Sequence, residues 1–268
     1  MDSPGARAVK LSISVACPAP RKGAPYVVAL TLLLTLPVTI DAQRGGRGGP
    51  PQAPREAAAI DLTGYWVSVV TEDWKFRMVT PKKGVYDALG LNAEGRRVGD
   101  MWDPAKDEAA GEQCRSYGAA NIMRVPGRLH ITWQDENTLR IDTDAGTQTR
   151  LFRFGAAPAA GEPTWQGQSI GSWEYSPGGR GAARLGNLKV VTTNMRAGYV
   201  RKNGAPYSDK ALVTEYYDVN ALPNSDQWMT VTTKVEDPVY FARPYLTTSD
   251  FKRLPNATGW NPTPCSAR

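Results

Sequence analysis

Residues 61–70 decide the fold of this chain, and they read Asp-Leu-Thr-Gly-Tyr-Trp-Val-Ser-Val-Val. Gly64 gives the backbone the freedom to turn sharply into a strand, and Trp66 supplies one large apolar side chain. The valines that follow are β-branched and suit a pleated, half-buried surface. The stretch therefore predicts the first strand of a β-domain, with Trp66 buried where the strand begins.

Short strands are predicted along most of the remaining chain. Three of them form a tight meander, in which Leu129 and Ile141 face one side while His130, Arg140 and Asp142 face the other. The predicted strands cover residues 74–79, 128–133, 138–143, 147–154, 165–173, 188–193, 211–218, 227–236 and 245–253. About ten strands joined mainly by short turns predict a mainly β fold, either a single antiparallel β-barrel or a strongly curved sheet.

A short helical insert is predicted near residues 92–112. Asn92 suits the N-cap of a first helix, and Asp103-Pro104 suits the start of a second, because proline is favoured at the first helical position. The insert is expected to end at Cys114.

The Gly-x-Trp unit at residues 64–66 resembles the opening of lipocalins and other calycin barrels. A broader set of blocks lies at residues 102–104, 167–174, 188–193, 201–208, 213–217 and 235–240. Their order, together with Cys114, resembles a large group of uncharacterised secreted β-rich proteins of soil bacteria. The resemblance to this group implies export and a single β-rich domain, the Gly-x-Trp unit implies a calycin-like barrel, and no catalytic residue is carried over.

The N-terminal part of the chain has the pattern of a secretory signal peptide. Arg21 and Lys22 precede the apolar run 26–40, and a small residue, Ala42, follows it. The run is shorter than the roughly 20 residues of a transmembrane helix, so a retained anchor is the less favoured alternative. We expect a signal peptide at 1–42, a disordered Gly/Pro/Arg linker at 43–59 and a β-barrel-like domain at 60–268. The mature protein is then exported, periplasmic or extracellular, without a transmembrane span.

The charge pattern gives no indication of a nucleic-acid partner. The net charge is +6, and it falls to +4 without residues 1–42, which carry four basic and two acidic residues. Basic and acidic residues alternate along the chain instead of forming a basic stripe that interleaves with aromatics.

Two cysteines, Cys114 and Cys265, remain after the predicted signal peptide. In an oxidising compartment the favoured interpretation is a disulfide, which would close a loop of about 150 residues and stabilise the fold by about 4 to 5 kcal/mol. The alternative is a catalytic thiol, which would need a neighbouring base, and His130 is the sole histidine.

Three functions are compatible with these patterns. The leading hypothesis is an exported barrel that binds a small apolar or sugar-like ligand and has a cavity in its interior for it. Its candidate contacts are Trp102, Trp165, Trp173, Tyr216 and Arg140. Trp260 also lies in a predicted loop, where it could meet a ligand.

The second hypothesis is a hydrolase or lyase that acts on carbohydrate-like substrates with paired carboxylates. Its candidate catalytic residues are Glu215, Asp142 and His130, and Glu215 lies among aromatics, where a carboxyl has a raised pKa or pairs with an arginine. The third hypothesis is a structural or interaction module of the cell envelope. A single histidine excludes a metal site with several histidines, and no motif indicates a cofactor.

Overall fold

Nine strands close into a barrel in the computed structural model, which describes residues 52–176 and 185–268. Within these residues the strands are β1 (Gly64–Val69), β2 (Arg128–Asp135), β3 (Thr138–Thr143), β4 (Thr149–Phe154), β5 (Gln168–Tyr175), β6 (Gly186–Thr193), β7 (Gly198–Arg201), β8 (Ala205–Tyr207), β9 (Leu212–Ala221), β10 (Gln227–Glu236) and β11 (Tyr245–Leu254). The barrel order is β1-β11-β10-β9-β6-β5-β4-β3-β2, and β7 pairs with β8 in a separate two-stranded sheet. The predicted β-barrel is therefore confirmed.

One pair of neighbouring barrel strands is parallel, whereas an antiparallel barrel was expected from the short turns. Phe152 pairs with Ser169 and Phe154 pairs with Gly171 in the parallel β4–β5 ladder. Residues 155–167 return the chain to the end of the barrel at which β4 began, so β5 runs in the same direction. The barrel is thus mixed, and its other neighbouring strands pair antiparallel.

The structure describes three α-helices and two 3-10 helices, α1 (Trp74–Arg77), α2 (Ala93–Asp100), α3 (Pro104–Ala109), Gln113–Tyr117 and Ile122–Arg124. The predicted insert near residues 92–112 is confirmed as α2 and α3. The Asn92 side chain accepts a hydrogen bond from the Gly95 backbone N–H at 2.8 Å, and Asp103 accepts one from Ala105 at 3.1 Å. These two caps satisfy backbone donors that the first helical turns leave without partners.

The predicted strand at residues 74–79 is wrong, because α1 occupies its first part. Asp73 has a left-handed backbone (φ 50°), which ends the extended chain before the alternating residues begin. Trp74 and Met78 are 64% and 61% exposed, so the alternation of apolar and polar residues has no buried face behind it. Arg77 is instead the buried residue of α1.

The interior of the barrel is filled by side chains that alternate along the strands. Trp66 is fully buried, and its Nε1–H donates to the Leu62 carbonyl at 2.9 Å. Around it pack the buried apolar residues Leu129, Ile131, Leu139, Ile141, Phe152, Leu188, Val190, Tyr217, Met229, Val231 and Phe251. The prediction that Trp66 is buried is confirmed, and Gly64 has the positive φ of 106° that the turn into β1 requires.

Part of the predicted linker lies against the barrel. The Trp173 indole N–H donates to the Pro54 carbonyl at 2.8 Å, the Tyr175 hydroxyl donates to the Ala57 carbonyl at 2.6 Å, and Arg55 pairs with Glu136. Side chains of β5 thus form hydrogen bonds that hold residues 52–59 against the barrel. These residues differ from the disordered linker expected there. The predicted signal peptide at 1–42 and linker residues 43–51 lie outside the described residues.

Among the described residues, no helix is both long and apolar enough to cross a membrane.

The disulfide between Cys114 and Cys265 is confirmed, with the two Cα atoms 5.1 Å apart and 151 positions apart in sequence. It attaches the C-terminal tail to the 3-10 helix that follows the insert. The tail therefore lies along the barrel instead of leaving it.

Cys114→Ser/Cys265→Ser should lower the free energy of unfolding by about 4 kcal/mol, because the unfolded chain loses a long closed loop. Urea unfolding followed by circular dichroism measures the change. Wild-type protein unfolded in the presence of a reductant is the matched control and should give the same stability as the double variant. A double variant as stable as the oxidised wild type would contradict this expectation.

Candidate functional site

A cross-strand row of side chains lies on the outer face of the barrel. Tyr65 on β1 pairs with His130 on β2, His130 pairs with Asp142 on β3, and Asp142 pairs with Thr149 on β4. Directly paired residues in a sheet point to the same face, so this register brings four polar or aromatic side chains into one line. The row forms one side of a groove of about 370 Å³, which we call the outer groove.

Aromatic rings form a corner of the outer groove. The rings of Tyr65 and His130 are stacked, with centroids 4.1 Å apart and planes 6° apart. The Trp260 ring stands edge-on to both of them, at 6.0 Å from Tyr65 and 6.3 Å from His130. Such stacked and edge-on arrangements are the favoured geometries for aromatic rings.

The C-terminal tail supplies Trp260 and is held by several bonds. The Thr263 N–H donates to the Asp144 carbonyl at 2.8 Å, and the Thr147 hydroxyl donates to the Thr263 carbonyl at 3.0 Å. Gly259 has a positive φ of 78° and lies against the Arg128 guanidinium, where a side chain would clash. Together with the disulfide at Cys265, these contacts make the tail one wall of the outer groove.

A charged pair lies beside the aromatic corner. Arg140 binds Asp142 through two hydrogen bonds, from Nε to Oδ2 at 2.8 Å and from Nη2 to Oδ1 at 2.9 Å. The Thr149 hydroxyl also donates to Asp142 Oδ1, at 2.5 Å. Partial burial raises the pKa of Asp142, but these hydrogen bonds and the Arg140 charge outweigh burial and hold the pKa below its ordinary value.

The structure brings four of the nine predicted functional residues together, namely Trp260 from the tail and His130, Arg140 and Asp142 from the meander. The common outward direction of the three meander residues was predicted from the sequence and is confirmed by the strand register. Tyr65 and Thr149 were not among the candidates. Tyr65 precedes the buried Trp66 and so must face outward on the same strand, and this alternation is the signal that could have identified it.

Glu215 occupies a different environment, inside the barrel. The Glu215 and Arg150 side chains are both 0% exposed and form two hydrogen bonds, at 2.8 and 2.6 Å. The Tyr217 hydroxyl donates to Glu215 Oε1 at 3.2 Å, and burial raises the Tyr217 pKa well above its ordinary value. Burial alone would lower the pKa of Arg150, but the charge of Glu215 raises it. A sealed carboxylate with these partners cannot contact a substrate, which argues against catalysis by Glu215.

The remaining predicted ligand contacts lie in separate places. Trp102 lines a cavity of about 280 Å³ beside the helical insert, and the Arg196 guanidinium lies 4.4 Å from the centroid of the Trp165 ring. Trp173 stacks on Phe154 and holds residue 54, as described above. The Tyr216 ring lies below the Lys189 ammonium at 5.6 Å. These four aromatics therefore do not form one site.

In the part of the chain that the structure describes, no group of three or more His, Cys, Asp or Glu side chains is placed to hold a metal ion.

The fold and the outer groove define a closed β-barrel with a filled interior and an aromatic, charged groove on its outside. Comparison of the chain with models of protein families, with curated proteins and with solved structures found no match. A function is therefore argued from the geometry of the site.

Removal of one partner of the interior ion pair should destabilise the barrel strongly. Glu215→Leu leaves the Arg150 charge buried without a counter-ion, so the free energy of unfolding should fall by about 3 to 5 kcal/mol. The double variant Arg150→Met/Glu215→Leu removes both charges and should recover more than half of that loss, because Tyr217 alone then lacks partners. Urea unfolding measures both values.

Glu94→Gln is the matched control, since it breaks the exposed Glu94–Arg97 pair and should leave the stability close to that of the wild type. If the double variant is less stable than Glu215→Leu alone, the unpaired Arg150 charge is not the cause of the loss, and the expectation is contradicted.

Asp142 should make stability depend on pH in the acid range. Its folded-state pKa lies below the ordinary aspartate value of about 3.9, so its stabilising contribution is complete above that value and is lost as the pH falls through the folded-state pKa. The difference in unfolding free energy between wild type and Asp142→Asn should be constant near neutral pH and shrink below about pH 4. Exposed Asp87→Asn is the control, and a difference that grows on acidification would contradict the expected sign.

Proposed function

We propose that the protein is an exported small-ligand-binding β-barrel that holds its ligand in the outer groove. The observation that carries this proposal is the aromatic corner of Tyr65, His130 and Trp260 beside the Arg140–Asp142 pair. Small-molecule sites combine apolar or aromatic walls with a few fixed polar groups in this way. The filled interior contradicts the cavity that the sequence hypothesis expected inside the barrel, so the ligand is placed in the groove outside it.

A sugar-like ligand suits the groove best among the ligands considered. The Trp260 ring offers an apolar surface that a sugar ring can contact. Arg140 offers a hydrogen-bond donor and Asp142 an acceptor for the hydroxyl groups of the sugar. Thr147 also lines the groove, and its hydroxyl oxygen, which donates its hydrogen to the Thr263 carbonyl, can accept a hydrogen bond from a ligand hydroxyl. The Arg140–Asp142 pair is already formed, so binding would order few additional side chains.

Binding is favoured over hydrolysis by the state of the carboxylates. Asp142 already accepts hydrogen bonds from Arg140 and Thr149 and has a lowered pKa, so it is a poor general acid at neutral pH. Glu215, the other carboxylate named for catalysis, is sealed in the barrel interior with Arg150. The two acids therefore lack a shared space in which a glycosidic bond could lie.

The disulfide supports an exported location. Disulfides persist in the periplasm and outside the cell, whereas cytosolic thiols are kept reduced. The bond between Cys114 and Cys265 also holds the tail that contributes Trp260 to the groove, so oxidation and the proposed binding site are linked in one structure.

Trp260→Ala and Arg140→Gln should each weaken binding of a sugar-like ligand by about tenfold or more, since each removes a stacking or hydrogen-bonding contact. Isothermal titration calorimetry with cellobiose, chitobiose and 4-nitrophenyl glucoside measures the affinity. Trp74→Ala is the matched control, because Trp74 is an exposed tryptophan that does not line the groove, and it should leave the affinity unchanged. If the probes bind and both groove variants retain wild-type affinity, the outer groove is not the binding site.

A further inference from the structure

Three buried arginines lie around another, much smaller cavity. Arg77 on α1, Arg124 in the second 3-10 helix and Arg201 at the end of β7 line a space of about 20 Å³, together with Phe76 and Lys202. We call this site the arginine pocket. The Arg77 and Arg124 side chains are 1% and 3% exposed, and Arg201 is 2% exposed. Arginine is almost never this buried unless its charge is paired.

Carboxylates fix two of the three guanidinium groups from one side. Arg77 donates from Nη1 to Glu72 at 2.5 Å and from Nε to the Arg124 carbonyl at 2.9 Å. Arg124 donates from Nη1 to Asp73 at 3.2 Å and to the Thr247 hydroxyl. These bonds hold both planar groups in place before any ligand arrives.

Arg201 is held without a carboxylate contact. Its Nη1 and Nη2 atoms donate to the carbonyl oxygens of Val85 and Asp87, at 3.4 and 3.1 Å. Its guanidinium lies over the Phe76 ring, 4.2 Å from the centroid. The Tyr245 hydroxyl and the charge of Asp73 also stabilise Arg201, so its positive charge is held by carbonyls, an aromatic face and a hydroxyl, without a directly bonded carboxylate.

One N–H-bearing atom of each arginine is buried without a hydrogen-bond partner among the described residues. These atoms are Nη2 of Arg77, Nη2 of Arg124 and Nε of Arg201. A buried donor on a charged group is costly to leave unpaired, and native proteins rarely contain several such donors in one place. The three arginines that carry these donors also line one cavity, which indicates a site that accepts an electron-rich group.

More cations line the cavity than carboxylates contact them, although Asp250 adds a third negative charge nearby. Arg77, Arg124, Arg201 and Lys202 line the cavity, whereas Glu72 and Asp73 are the carboxylates that contact the arginines. Asp250 acts on Arg77 only through its charge, since its own hydrogen bonds come from Thr71 and Thr230. Burial lowers the pKa of both Arg77 and Arg201, and the nearby positive charge of Arg124 lowers each of them further.

We propose that the arginine pocket binds one small oxyanion group, such as the phosphate, sulfate or carboxylate group of a small molecule. Guanidinium groups bind such oxygens well, because their N–H donors lie in one fixed plane and the group stays positively charged. The cavity has room for about one oxygen-sized atom, so one anion oxygen would enter it while the rest of the group stays outside, beside Lys202 and the exposed Thr80. This site is independent of the outer groove and shares no lining residue with it.

Saturable stabilisation by an oxyanion tests the proposal on the whole protein. Thermal unfolding is followed with increasing sodium phosphate, sodium sulfate or sodium acetate, each against sodium chloride at equal ionic strength. We expect at least one oxyanion to raise the midpoint saturably beyond the chloride series, and the three arms identify which chemistry the pocket prefers. Equal effects of chloride and all three oxyanions would overturn the proposal and leave water as the partner of the buried donors.

Substitutions test whether the oxyanion that stabilises the protein binds in the arginine pocket. Arg201→Met should weaken the preferred oxyanion by about tenfold or more, and Lys202→Gln should weaken it less, because Lys202 lies at the half-buried edge. Lys210→Gln is the matched control, since it removes an exposed lysine that does not line the pocket, and its affinity should equal that of the wild type. Wild-type affinity in folded Arg201→Met would overturn the assignment.

If Arg201→Met does not fold, NMR of the wild-type protein tests the same assignment directly. The side-chain Nε–H signals of Arg77 and Arg201 in the wild-type NMR spectrum should shift during the oxyanion titration, while the Trp260 indole signal stays unchanged. Oxyanion-dependent shifts that leave both arginine signals in place would place the anion elsewhere and overturn the proposal.

Discussion

The buried Arg150–Glu215 pair is the constraint on which the rest of this barrel depends. Two opposite charges with no exposed surface can be accommodated only if the surrounding strands close completely and supply matching partners. Tyr217 contacts both members of the pair, Thr192 contacts Arg150, and the apolar side chains around Trp66 fill the remaining interior. The interior therefore serves stability, and both proposed binding sites lie outside it.

The alternation of side chains along each strand links the filled interior to the outer groove. Every residue that packs inward, such as Trp66 or Ile141, places its neighbours Tyr65 or Asp142 on the outside. The antiparallel register then aligns outward residues from four strands in one row. The disulfide at Cys265 adds the tail as a wall, so one covalent bond and one register produce the groove together.

Structure could be predicted from the sequence where a local pattern is compatible with a single local structure. Period-two alternation predicted that His130, Arg140 and Asp142 share a face, the caps at Asn92 and Asp103 predicted the insert, and an even pair of cysteines predicted the disulfide. It was misleading at residues 74–79, where the same alternation has no buried face behind it and the left-handed Asp73 starts a helix.

Contacts between distant segments could not be predicted from local patterns. Glu215 was expected to have a raised pKa or to pair with an arginine, but its partner Arg150 lies on β4, and only barrel closure brings the two strands to the same interior. Likewise, Trp260 reaches Tyr65 because the tail folds back, and Arg77, Arg124 and Arg201 come from three separate elements. Part of the outer groove could thus be predicted from the sequence of β2 and β3, whereas the arginine pocket could be found only from the tertiary structure.

The most direct test follows the indole N–H signals of Trp66 and Trp260 by NMR while a sugar-like ligand is added. Trp66 lies in the interior with its N–H bonded to Leu62, and Trp260 lies in the outer groove. A ligand bound outside a filled barrel should shift the Trp260 signal and leave the Trp66 signal unshifted and slow to exchange with solvent. A shift and faster exchange at Trp66, with Trp260 unchanged, would contradict a filled interior and place the ligand inside the barrel.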